Sequence, residues 1–205
     1  MSLPALSLDP LPGRRILPIL GRTDSSELGA GKFLIASRRL GDPNFSRSVI
    51  LLLEYGRRGA MGVIINRPTH VSLSTLLPDL DELRGVSQSA FVGGPVGRTG
   101  MLLLVRSEEP PEPSLRVFAD VFASGSAQVL RQWVIRGPDV ARAYVGHAGW
   151  GPGQLDGEVG RGDWYVSPAD ASKIFSDEPA RVWKDLIDAA HGQWAWVEAI
   201  SDLQE

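Results

Sequence analysis

Two apolar, β-branched runs, Ser48 to Leu53 (SVILLL) and Ala60 to Asn66 (AMGVIIN), are joined by the polar, glycine-bearing link Glu54 to Gly59. Runs of this kind on either side of a short polar link read as a β-hairpin. Strict alternation would mark a sheet with one wet face, but Val49-Ile50-Leu51-Leu52-Leu53 has no polar member. Both faces of the hairpin are therefore expected to be covered, with helices the natural cover.

The surrounding chain extends this core. Phe33 to Ala36 reads as a first strand, and Gly41-Asp42-Pro43-Asn44 is a cluster of turn formers that redirects the chain before the hairpin. Leu73, Leu76, Leu77 and Leu80 recur at helical spacing, with Ser72 or Ser74 as the cap and Pro78 limiting the helix to a short one. Ala90 to Val92 and Met101 to Val105 read as strands, and Glu108 to Pro113 (EEPPEP) as a surface loop. Leu115 to Phe118 reads as a strand, and a helix opened by Ser124 or Ser126 carries the stripe Val129, Leu130, Trp133 and Val134 before Gly137-Pro138. Ala141 to Val145 and Trp164 to Val166 read as strands, Pro179 to Ala190 as a helix, and Trp194 to Val197 as a final strand. Strands and helices alternate without a regular βαβ rhythm, so α+β is favoured over a doubly wound sheet.

Residues 1–30 hold four prolines and no sustained period, and are expected to be an extended or disordered lead-in, with Ile16 to Leu20 able to dock on the body. Residues 31–205 are expected to form a single domain, since 205 residues with 43% hydrophobic content suit one core. The absence of cysteine removes disulfides, thiolate metal sites and a cysteine nucleophile, and fits a reducing, cytoplasmic setting. No apolar run approaches the ~20 residues of a membrane helix, so a soluble protein without a membrane partner is expected. Net charge is −3, divided as +5 over residues 1–67 and −8 over the rest. No Lys/Arg block exceeds two residues and no helix-turn-helix pattern is present, which disfavours direct nucleic-acid binding.

Three stretches occur together in order: LGDPNFSRSVILLLE through GAMGVIINRPT from Leu40 to Thr69, FVGGPV from Phe91 to Val96, and GHAGWGPGQLDGEV from Gly146 to Val159 with Trp164 following. In these the chain resembles the YqgE/AlgH family of bacterial proteins, over about residues 31 to 200. The resemblance implies a compact α+β fold with a partly barrel-like sheet and a cytoplasmic location, so the expected architecture is a mixed, largely antiparallel, partly barrel-like β-sheet covered by a few helices. It implies no activity and carries over no catalytic residue, and the family's regulatory label concerns gene expression without a DNA-binding mechanism. The chain departs from the family's pattern at His147, where an aromatic is common, and at Asp156, where glutamate is commoner.

The candidate ligand-binding residues are Gly93, Gly94, His147, Trp150, Gly151, Gly153 and Gln154. Glycine lets backbone approach a ligand, and N–H groups at a helix start attract anions, so Gly146 to Gln154 read as a loop suits a phosphate or carboxylate. The same glycines also suit a tight turn against the Trp150 ring, with Gln154 bonded to backbone, and Gly93-Gly94-Pro95 equally suits a turn at a strand end. Glycine spacing matches neither a Walker loop nor a dinucleotide fingerprint. Asp156 and Glu158, two apart, face different sides of a helix and do not make a catalytic pair. Asp42, Asn44, Ser46, Arg47 and Ser48 read as a structural network in which Arg47 pairs with a carboxylate. His70, His147 and His191 sit in no triad or zinc spacing, so neither a catalytic residue, a metal nor a cofactor is expected. The reading is a non-enzymatic binding or regulatory protein with a protein or small-ligand partner; the alternative is an enzyme or ligand binder with its pocket between the two glycine-rich stretches.

Overall fold

The computed structural model describes residues 27–85 and 88–190. The expected docking segment Ile16 to Leu20 and strand Trp194 to Val197 lie outside the described residues.

The chain forms β1 (Lys32–Ala36), β2 (Val49–Gly56), β3 (Gly59–Ile64), β4 (Pro68–Ser72), β5 (Ser89–Val92), β6 (Val96–Arg106), β7 (Leu115–Phe118), β8 (Val121–Ser124), β9 (Ala141–Trp150) and β10 (Trp164–Pro168). Its helices are α1 (Leu73–Leu76), α2 (Ala127–Trp133), α3 (Gln154–Gly160), α4 (Ala171–Ile174) and α5 (182–190). The main sheet runs β10-β1-β2-β3-β9-β6-β8-β7 with every pairing antiparallel, and β4 and β5 attach through a parallel β5–β9 pairing. This is the expected mixed, largely antiparallel half-barrel of an α+β fold. No helix among the described residues is long and apolar enough to cross a membrane.

The hairpin forms as expected but is tighter. Its strands extend into the polar link until Gly56 faces Gly59, leaving Arg57 and Arg58 as the turn. Val49, Leu51 and Leu53 point into an inner core shared with Leu104, Tyr144 and the α4–α5 residues Ile174, Val182 and Ile187. Ile50 and Leu52 point outward beneath Leu155 and Val159 of α3. With both faces buried, a polar residue at any of these five positions would lack a hydrogen-bond partner, which is why the run is uniformly apolar. A third cluster covers β6 and β9 with Leu73 of α1 and Val129 and Leu130 of α2.

Local chemistry sets the helix starts. The Ser72 hydroxyl accepts from Thr75 N–H to begin α1, and the Ser126 hydroxyl accepts from Gln128 N–H to begin α2. Strand β8 (Val121–Ser124), immediately before α2, is an element the sequence pattern does not mark.

Candidate functional site

Sequence reasoning placed a loop at Gly146 to Gln154, and here the structure corrects it. Gly146 to Trp150 continue β9, and only Gly151-Pro152-Gly153 form the turn into α3. The extension occurs because both flanks of this segment are paired: Met61 and Gly62 of β3 lie opposite Gly149 and Ala148, and Val96 of β6 lies opposite His147. Glycines break isolated strands, but pairing on two sides overrides that tendency.

The two glycine-rich stretches do meet. Strand β5 runs parallel to β9 at Phe91–Tyr144 and Val92–Val145, whereas β6 runs antiparallel on the other flank of β9, beginning at Val96–His147. Gly93-Gly94-Pro95 must therefore carry the chain across β9 at Gly146. A Cβ on Gly93 would lie 2.2 Å from the Gly146 carbonyl oxygen, and one on Gly94 would lie 2.1 Å from the His147 carbonyl carbon. The crossing thus brings backbone directly onto backbone, which only glycine permits. The half-buried His147 ring packs beside Gly97, where a Cβ would stand 3.1 Å from Cε1.

Trp150, Gly151 and Gln154 gather around Glu158. Trp150 Nε1 and Trp164 Nε1 each donate to Glu158 Oε2 at 2.8 Å, and Gln154 Nε2 donates to Oε1 at 3.0 Å. Gly151 N–H donates in turn to Gln154 Oε1 at 3.1 Å. The Phe45 ring stacks on Trp150 at 6.1 Å and meets Trp164 edge-on at 5.9 Å. Gly153, at φ 70°, supplies the left-handed step into α3 and no side-chain cap. On another side of α3, Tyr55 OH donates to Asp156 Oδ1 at 2.7 Å, which, ahead of burial, raises the Tyr55 phenol above its ordinary value. The two carboxylates do face different partners, and the i, i+4 spacing of Gln154 and Glu158 was the signal that could have linked them.

The polar segment before β2 is the expected network, with Asp42 Oδ1 accepting from Asn44 N–H and Ser48 Oγ donating to the Phe45 carbonyl, and Asn66 and Arg67 join it. Asn66 Oδ1 accepts from Val49 N–H at 2.8 Å while its Nδ2 donates to the Arg47 carbonyl at 2.9 Å. Arg67 donates to the carbonyls of Asn44 and Ser46. Arg47 makes no carboxylate pair among the described residues; it contributes its backbone in a left-handed conformation, φ 56°.

Two cavities lie outside the hydrogen-bond networks just described. One, about 500 Å³, opens beside β1, the β7–β8 turn and α5, between Phe33, Ile35, Phe118 and Leu186, with Asp120, Asp170 and Lys173 in its lining. The other, about 600 Å³, lies between β4, β5 and the segment after α2, and Arg142, Gln88 and Asp177 line it. Arg142 is only 3% exposed. Its Nε donates to the Pro138 carbonyl at 3.0 Å, one terminal nitrogen to the Ile174 carbonyl at 3.0 Å, and the other to the Ser176 carbonyl at 2.7 Å. The guanidinium also lies 5.1 Å from the centre of the Phe91 ring, and burial lowers its pKa. Among the described residues no group of three or more histidines and carboxylates is placed to hold a metal ion.

Residues 33–195 match the AlgH-like family model, DUF179. A UPF0301 protein of Streptomyces coelicolor is 35% identical over 190 residues, spanning 89% of this chain and 96% of its own length. A second UPF0301 protein, from Methylococcus capsulatus, is 35% identical over 83% of this chain and 93% of its own length. Among solved structures, the AlgH protein of Pseudomonas aeruginosa superposes with a TM-score of 0.66 at 30% identity, covering 79% of this chain and 88% of that one. A Corynebacterium diphtheriae protein shares the fold with a TM-score of 0.68 at 23% identity, covering 84% of this chain and 93% of that one. With a family model spanning most of its length and relatives matched along nearly all of theirs, the chain belongs to the AlgH-like family.

Proposed function

We propose that this protein acts by binding a small ligand or another protein in the cytoplasm, and not by catalysis. The carrying observation is how the motif side chains are used. Glu158 is engaged by Trp150, Trp164 and Gln154, Asp156 by Tyr55, and the Gly93–Gly146 crossing is filled by backbone. Groups committed to internal hydrogen bonds do not supply a nucleophile with its base. The cavities, by contrast, are of ligand size and lie outside this network. The meeting of the two glycine-rich stretches speaks for the alternative, a pocket between them, but atoms rather than space occupy that junction. A regulatory role follows if ligand occupancy alters a partner contact. A thermal-shift screen of nucleotides, anions and metabolites tests the reading, because a ligand preferring the folded state raises the melting temperature. Stabilisation without turnover supports binding. Consumption of a hit, abolished in Glu158→Gln at unchanged stability, overturns it.

A further inference from the structure

Resting on the reading of this chain as a binding protein, we propose that the cleft at Arg142 takes a small zwitterionic carboxylate with an apolar side chain, of the class of leucine. A guanidinium has five N–H donors, and Arg142 commits one from each of its three nitrogens to the carbonyls of Pro138, Ile174 and Ser176. One N–H on each terminal nitrogen remains, two in all, as charged donors for an anion that enters the cleft. No carboxylate among the described residues lies within ion-pair distance; Asp177 and Asp139 act on the guanidinium only across space. A charge this buried, satisfied by neutral carbonyls alone, gains most from an anion that enters beside it.

The other lining groups define the rest of the ligand. Gln88 Nε2 donates to the Ala141 carbonyl, which fixes Oε1 as the acceptor, and among the described residues that oxygen is buried without a partner. An orphaned acceptor calls for a donor such as an ammonium group. Asp177, exposed in the same lining, favours that positive charge and opposes a multiply charged anion such as phosphate. Val134, Phe91 and the 53% exposed Ile135 supply an apolar wall.

Calorimetric titration and amide chemical-shift mapping of the full chain test this with four probes: leucine, 4-methylpentanoate lacking the ammonium, 3-methylbutylamine lacking the carboxylate, and inorganic phosphate. Leucine should bind with shifts centred on Gln88 and Asp177, at least about tenfold tighter than either truncated analogue or phosphate. Asp177→Asn, a change at an exposed side chain, should weaken leucine about tenfold and leave 4-methylpentanoate bound no more weakly than before. Arg142→Met should abolish both; should it fail to fold, the Asp177→Asn comparison still decides. Equal binding of leucine and 4-methylpentanoate, preference for phosphate, or indifference to Asp177→Asn overturns the proposal. Leucine shifts confined to Phe33 and Leu186 overturn this site while leaving the binding reading standing. Absence of any bound small molecule or protein across the wider screen counts against both.

Discussion

The end of the molecule around Glu158 and the end around Arg142 both hold a partly or fully buried charged side chain, but they satisfy it differently. Glu158 accepts from two indoles and an amide, all side chains from a motif-rich stretch. Arg142 donates to three backbone carbonyls that no sequence motif marks, and retains two donors beside a cleft. The side chains around Glu158 are thus spent within the fold, whereas Arg142 keeps donors beside a cleft whose lining includes the motif residues Pro68, Thr69 and Phe91.

Substitutions can break or sharpen this contrast. The largest effect is expected at the backbone crossing: Gly94→Ala places a Cβ 2.1 Å from the His147 carbonyl carbon, and should cost more than about 3 kcal/mol or prevent folding, read by urea denaturation. A Gly94→Ala protein of native stability would remove the structural account of the motif. Next, Arg142→Met strands three carbonyls and should cost about 2–4 kcal/mol, whereas loss below about 0.5 kcal/mol would show that the guanidinium is not held as described. Glu158→Leu, which takes the shared acceptor from both tryptophans, should cost about 1–3 kcal/mol, and Trp150→Phe, removing one of its donors, about half as much. If Glu158→Leu instead left stability intact and removed ligand binding, the two ends would exchange roles.

A smaller effect is expected in alkali. The Tyr55 phenol has its pKa raised in the fold by its bond to Asp156, so this contribution is fully present below the ordinary value of 10.0 and is lost as pH rises through the folded value. Tyr55→Phe should therefore flatten the decline in stability above about pH 10, as followed by chemical denaturation across pH. The smallest change is expected for Asp81→Asn, which breaks a pair with Arg84 whose side chains are 77% and 80% exposed; about 0–0.5 kcal/mol is expected.

Much of the fold was legible from residue pattern. The apolar runs at Val49 and Ala60 located the hairpin, the serines before α1 and α2 located their starts, and Gly137 located the end of the α2 segment, because each rests on interactions within a few residues. The site was legible only in part. Trp150, Gly151 and Gln154 do cluster, but Glu158 and Phe45 joined them through packing, and Gly146 to Trp150 became strand through partners more than 40 residues away.

By itself, the sequence determined which segments exclude water, since apolar transfer acts on residues wherever the chain carries them. Only the tertiary structure decided that the two glycine-rich stretches would cross backbone on backbone, and that Arg142 would be buried in the lining of a cleft it shares with Gln88. Those outcomes depend on which strands flank β9, and such long-range pairing is fixed by the combined burial of all three clusters and not by any local run of residues.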